Sequence, residues 1–239
     1  MKKIQVYLSA IVICAVSWSC KSSTILTATF EGDAVNNPPA TDLPGAPSGD
    51  VIQYHSAMTP QLKVQNSTLA GSKALHFTNV SIPDVPGHDR WLSFRGIGTD
   101  LTKTIWFTLV GQNIGASEDL YIYVSDGHAH VIAMMRIASG GQVALATNIA
   151  DPFSDVLGNI GSQSHNIIFT VSASTLTYNV TILTPSGPTI TAENKTMITN
   201  NQLSFNNPAH PELSIQLPEM TNPSHTYAIG TVLISKKKP

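Results

Sequence analysis

The sequence predicts an all-β protein, a β-sandwich of two antiparallel sheets, and three observations carry that expectation. Charged residues make up only 12% of the chain, while Thr, Ser, Asn and Val are plentiful, a strand-rich usage. Short runs with apolar residues at alternate positions follow one another, punctuated by Gly, Pro, Asn and Asp. Beyond the N-terminal segment, no stretch holds a helical apolar period through three turns.

The chain opens with Lys2 and Lys3, continues with the apolar run 6–18, and reaches Ser19 and Cys20. A positive end, an apolar middle and a small residue at the cut are the layout of an export signal. With a cysteine at the cut, the segment resembles a bacterial lipoprotein signal peptide. That resemblance implies that Cys20 becomes the lipidated first residue and anchors the exported chain to a bacterial membrane, on the periplasmic side or the cell surface. An ordinary signal and a soluble product is the alternative. The apolar run is shorter than the ~20 residues a transmembrane helix needs. The expected organisation is a signal over 1–19, a tether over 20–26 and one domain over 27–239.

Removing residues 1–19 takes Lys2 and Lys3 from the 13 basic residues, leaving 11 against 15 acidic ones and a formal charge of −4. No basic patch interleaved with aromatics is present, so a nucleic-acid partner is not expected. Lys236, Lys237 and Lys238 read as a solvated end, with contact to anionic lipid as the alternative. Cys14 leaves with the signal, and lipid on Cys20 leaves no thiol for a disulfide. The domain must therefore stand on its core, and a chain of this length can build one.

The elements follow in order. A first strand is expected at 27–31, then an ordered Pro/Gly-rich loop over 32–50. Strands are expected near 51–55, 61–66, 73–79, 90–96, 103–111, 118–125, 128–137 and 141–147, then 165–172, 175–183, 188–193, 202–205, 212–217 and 226–235. Residues 151–161 read as a short helical turn. Asp126-Gly127 suits a two-residue type I′ turn, which would set Ser125 opposite His128, Tyr123 opposite His130 and Tyr121 opposite Ile132. In that register Leu120, Ile122, Val124, Ala129, Val131 and Ala133 share the apolar face. In a second pair, Ile167, Phe169 and Val171 can meet Tyr178, Val180 and Ile182 in the core, with Thr177, Asn179 and Thr181 facing water.

Phe30-Glu31 in the first strand, the loop ending Leu43-Pro-Gly-Ala-Pro-Ser-Gly-Asp50, the mid-chain hairpins and the closing strand from Tyr227 to Ser235 carry a second likeness. Together they resemble the concanavalin A-like lectin/glucanase jelly roll, including its laminin-G-like members. The resemblance implies that the first and last strands pair. Many relatives have an acidic residue after the closing tyrosine; here the stretch is Tyr227-Ala-Ile-Gly230.

Hydrolases of that superfamily often carry Glu-x-Asp-x-x-Glu on one strand, placing two carboxylates at fixed separation. That run is absent, as is a Gly-x-Ser-x-Gly elbow. Glu31-Gly-Asp33 is the nearest approach and reads as a cap on the first strand and its loop, with a calcium-ligand role as the alternative. His128-x-His130 has metal-like spacing, with Asp126, His88, Asp89 and His165 as possible further ligands. Two alternating histidines on an open sheet face are commoner without a metal, and none is expected. In the loop before Trp91, Asp89 and Arg90 read as a pair that fixes the loop, and a ligand rim is the alternative.

The candidate binding face combines Trp106, Tyr121 and Tyr123 as an aromatic platform with His128, His130 and Arg136 as hydrogen-bond donors. Sugars offer C–H faces to aromatic rings and hydroxyls to planar polar groups. The expected function is a non-catalytic, lipid-anchored envelope protein that binds glycan or another extracellular ligand, with no cofactor. The alternatives are an adhesion module for a cell-surface protein, bound at a sheet edge, and a divergent polysaccharide hydrolase or lyase.

Overall fold

The computed structural model describes residues 23–41, 52–54, 56–78, 91–96, 104–114, 119–127, 130–148, 150, 153–198, 210–217 and 225–239. The signal segment, Cys20, the His88–Arg90 loop, His128 and the strand expected at 202–205 lie outside these residues.

Among the described residues the strands are β1 (Thr24–Thr29), β2 (Ile52–Tyr54), β3 (Leu62–Asn66), β4 (Lys73–Thr78), β5 (Trp91–Arg95), β6 (Ile105–Ile114), β7 (Leu120–Ser125) and β8 (Val131–Ile137). The chain continues with β9 (Gln142–Leu145), β10 (Asp155–Asn159), β11 (Ser164–Ser172), β12 (Thr177–Leu183), β13 (Ile190–Thr196), β14 (Glu212–Gln216) and β15 (Thr226–Ser235). A short 3₁₀ turn, Ser56–Gln61, sets Met58 into the core.

Two antiparallel sheets result. The first runs β13-β12-β11-β6-β15-β4-β3, with β1 also on β15; the second runs β10-β9-β8-β7-β14-β5-β2. On its edge away from β6, β15 pairs with β4 through Thr226–Ile229 and with β1 through Thr231–Ser235. The first and last strands therefore pair, as the resemblance implied. Alternation puts one face of every strand into a shared core that includes Phe30, Phe77, Phe94, Phe107 and Phe169. The β11–β12 register matches expectation: Ile167 faces Ile182, Phe169 faces Val180 and Val171 faces Tyr178.

Two segments depart from expectation. Thr24 to Leu26, read as tether, pair with Ser235 and Ile234 and begin the first strand, which ends at Thr29, so Phe30 and Glu31, expected within it, follow it in a turn where the Asp33 amide bonds to the Phe30 carbonyl. Residues 151–161 contain β10 rather than a helical turn, because the edge of β9 offers backbone partners from Gln142 to Leu145. Gly158 allows β10 close to the first sheet: a Cβ there would lie 2.9 Å from Ile190 Cδ1.

Glu31 accepts hydrogen bonds from the backbone of Ser72 (2.8 Å) and Lys73 (3.1 Å) and from the Ser72 hydroxyl. These bonds, the hydroxyl's first, hold its carboxyl below the usual carboxylate range. Asp33 accepts from the Ala40 amide at 3.0 Å. Both carboxylates fasten the chain after the first strand.

One buried polar pair lies inside the first sheet. His165 Nδ1 is 3.0 Å from the Gln163 carbonyl and Nε2 is 2.8 Å from Tyr227 Oη. A carbonyl only accepts, so Nδ1 carries the proton and Nε2 accepts from the phenol. Gly111 leaves the room: a Cβ there would overlap Tyr227 Oη. Burial pulls the His165 imidazole down to about 4. Between that value and the ordinary 6.5 the unfolded chain takes up a proton that the native chain refuses. Stability is therefore expected to fall by on the order of 3 kcal/mol as pH drops from about 6.5 to about 4. Urea unfolding across that range checks this, and His165→Leu is expected to flatten the slope.

Candidate functional site

The β7–β8 hairpin differs from the two-residue turn its Asp-Gly suggested. Leu120 faces Ile137, Tyr121 faces Arg136 and Tyr123 faces Met134, a slide of four residues, and beyond a bulge Ser125 faces Val131, a slide of three. The cause is tertiary. Asp126 is fully buried and its carboxylate is 2.9 Å from His130 Nδ1. The Asp126 carbonyl accepts from the His210 amide at 3.0 Å, and the Gly127 carbonyl accepts from Arg95 Nη2 at 2.9 Å. Those bonds tie the connection to two neighbouring segments. A slide by an even number keeps the inward and outward sets of β7. A bulge at Ile132 then turns Ile132 into the core and Val131 out beside Ser125.

The pairings across the second sheet arrange its outward side chains in rows. One row reads Trp91, Gln216, Tyr121, Arg136, Ala144, Val156 from β5 to β10. The next reads Gln53, Ser93, Ser214, Tyr123, Met134, and a third reads Arg95, Glu212, Ser125, Val131. The alternate residues Leu92, Phe94, Leu213, Ile215, Ile122 and Val124 are buried in the core.

A depression of about 270 Å³ opens over the middle of this face. Trp91, Tyr123 and Val131 supply its apolar lining, and Ser93, Ser125, Ser214, Glu212 and Gln216 its polar lining. The polar groups are tightly organised. Ser93 Oγ and Ser214 Oγ donate to Glu212 Oε1 at 2.6 and 2.7 Å, and Arg95 Nε lies 3.8 Å from Glu212 Oε2. Tyr123 Oη donates to Gln216 Oε1 at 2.8 Å. Burial, and then the neighbouring Tyr121, push the Tyr123 phenol up to about 12, so it keeps its proton at neutral pH.

Beside the depression, the Tyr121 and Phe153 rings lie 5.3 Å apart, centroid to centroid, and the Arg136 guanidinium sits 5.4 Å from the Phe153 centroid. Arg136 Nη1 is 3.8 Å from Asp119 Oδ2. Phe153 holds φ 52°, the left-handed region that a bulky side chain rarely adopts.

Tyr121, Tyr123 and Arg136 thus share one face, as expected. Trp106 does not join them: it sits on β6, between Thr170 and Ser235, on the outward side of the first sheet. His130 belongs to the connection with Asp126 rather than to the sheet face. His165 is buried under Tyr227, and among the described residues no three acidic, His or Cys side chains are grouped to hold a metal.

The residues that sequence reasoning did not place here are Trp91, Ser93, Glu212, Ser214 and Gln216. Their signal was the alternation Trp91-x-Ser93-x-Arg95 and Glu212-x-Ser214-x-Gln216 around apolar neighbours. Alternation marks an outward face but does not say which strands lie side by side.

No protein-family model and no curated protein matches this chain. Solved structures do. Lectin I from Ulex europaeus, in complex with the methyl glycoside of α-L-fucose, is 9% identical with a TM-score of 0.51, over 90% of this chain and 98% of that one. A GH131 β-glucanase catalytic domain from Podospora anserina is 11% identical with a TM-score of 0.51, over 80% of this chain and 87% of that one. The lectin UEA-II, complexed with galactose, is 9% identical with a TM-score of 0.51, over 89% and 99%. The fold is the concanavalin A-like jelly roll. Likeness at such low identity concerns the fold alone.

A spectrophotometric phenol titration of this jelly roll is expected to place Tyr123 near pH 12, above an ordinary tyrosine, with Tyr123→Phe removing one group from that late step. Loss of a group titrating near 10 instead would mean that the Tyr123 hydroxyl is not buried against its neighbours.

Proposed function

We propose that this protein is a non-catalytic glycan-binding module, exported and held at a membrane by lipid on Cys20. The observation that carries the glycan reading is the depression on the second sheet, where Trp91 and Tyr123 stand among Gln216, Glu212 and two serines. A pyranose presents a C–H face that lies on an aromatic ring and hydroxyls that both donate and accept. Gln216 and Glu212 offer planar polar groups held by their neighbours, so little ordering is left to be done on binding. Trp91 and Tyr121 sit in one row two strands apart, about 10 Å at the usual strand spacing. That leaves room for more than one ring of a chain lying across the strands. The fold neighbours crystallised with galactose and with a fucoside agree with this ligand class.

The second reading is a polysaccharide hydrolase, which the likeness to the Podospora glucanase domain favours. Against it, Glu212 is the one carboxylate among the described residues lining the depression, and both serine hydroxyls bind one of its oxygens. A glycosidase uses two carboxyl groups flanking the scissile bond.

The test is a glycan array with the full chain, with and without calcium. Trp91→Ala and Tyr123→Ala are each expected to weaken binding at least tenfold, about 1.4 kcal/mol, while Trp106→Ala leaves it unchanged. Saturable binding that survives both aromatic substitutions would place the site elsewhere. No binding by folded chain would favour a cell-surface protein as the partner. Release of shortened products, abolished by Glu212→Gln, would favour the hydrolase.

The anchor is tested separately. Bacterially expressed chain is expected to incorporate labelled fatty acid and to partition into detergent, and Cys20→Ser is expected to abolish both. A soluble, unlabelled wild-type product would remove the anchor from the proposal.

A further inference from the structure

The sandwich has a second concavity, away from the sheet face. At one side the edge strand β10 of the second sheet meets the edge strand β13 of the first. Lys195 Nζ reaches across to Asp155 Oδ2 at 2.6 Å and bridges the two sheets. Beside this bridge is a crevice of about 520 Å³, lined by Asp155, Lys195, Tyr178, Ala146, Thr147, Ser154 and Thr196.

The backbone departs from regularity at both walls. On β13 a bulge sets Glu193 and Asn194 against the single residue Asn179. Asn194 takes φ 53° and its amide donates to Asn179 Oδ1 at 2.7 Å. Without the extra residue Lys195 would point to solvent; with it, Lys195 shares the inward side with its cross-strand partner Tyr178. On the facing wall the strained Phe153, φ 52°, immediately precedes Ser154 and Asp155. Backbone strain of this kind persists where the surroundings impose it and gathers at binding sites. Protection of a sheet edge accounts for an inward lysine. It does not account for the crevice beside it, whose lining includes two threonines, a serine and a tyrosine.

We propose that this crevice is a second binding site, for a neutral polyhydroxylated ligand of one or two sugar rings. Asp155 and Lys195 already neutralise one another, so the pair offers no net charge to attract a charged ligand. A neutral one can bond to the pair as it stands. Threonine, serine and tyrosine hydroxyls each donate and accept, which matches sugar hydroxyls. The Tyr178 phenol keeps its proton, raised to about 12 by burial and then by Asp155. The volume falls within the range of small-molecule sites.

The site stands independently of the sheet-face reading, and titration calorimetry of the full chain separates the two. The probes are cellobiose, laminaribiose, maltose and lactose. Two sites per chain for at least one disaccharide are expected, with one lost on Trp91→Ala and the other weakened at least tenfold by Lys195→Met. Because Lys195→Met also removes the bridge between sheets, Tyr178→Phe is the second variant: it deletes one hydroxyl and is expected to weaken the same site, with the thermal melt checking the fold. A single site that is lost on Trp91→Ala and indifferent to both crevice variants would overturn this proposal and leave the sheet-face reading standing. A single site with the opposite response would support the crevice and overturn the sheet face. No heat with any disaccharide would count against both.

Discussion

The architecture depends on the backbone ladder of β15. This one strand hydrogen-bonds along β6 on one side and along both β4 and β1 on the other. It lies at the end of the described chain, so the first sheet is completed by partners distant in sequence. Closing such loops costs entropy before any pairing returns it. The ladder also carries Tyr227 inward, where its hydroxyl meets His165 and the missing side chain of Gly111 gives it space. A polar pair in that position is stabilising only while both partners are present, because an orphaned buried group keeps its full desolvation cost.

The second sheet converts the same alternation into a surface. Its inward residues belong to the common core, and that packing leaves the outward rows standing in register. Organisation of the depression comes from bonds among its own side chains: two serines on one carboxylate oxygen, and a tyrosine on a glutamine. Groups fixed in this way lose little freedom when a ligand arrives. Asp126 and Gly127 support the arrangement from one end, their carbonyls tying the β7–β8 connection to the His210 and Arg95 segments. The segment 153–155 lies between two concavities. Phe153 packs on Tyr121 and Arg136 at the sheet face, and Ser154 and Asp155 face the crevice at the sandwich edge.

The fold was legible in the sequence wherever the two-residue period was strong. Alternation in β11 and β12 identified their inward sets and their pairing, because a one-residue slip would have turned Phe169 and Tyr178 into water. It failed at 151–161, where a short stretch without strong periodicity became a strand through the partner that β9 offered. It also failed to place Trp106. An aromatic on an outward position reads the same on either sheet, and only the strand order separates them.

By itself the sequence determined the all-β class, the inward and outward sets of β7, β11 and β12, and the presence of Tyr121, Tyr123 and Arg136 on outward positions. Those follow from local geometry, in which successive side chains point to opposite faces. The tertiary structure decided which strands are neighbours, and therefore that Trp91 and Glu212 join Tyr123 while Trp106 does not. It also decided the hairpin register, since a buried Asp126 bonded to His130, with the Asp126 and Gly127 carbonyls bonded to His210 and Arg95, outweighed the turn preference of Asp-Gly. Strand order, and the bonds that the Asp126 and Gly127 carbonyls accept from His210 and Arg95, depend on residues far apart in the chain, and no local pattern encodes that distance.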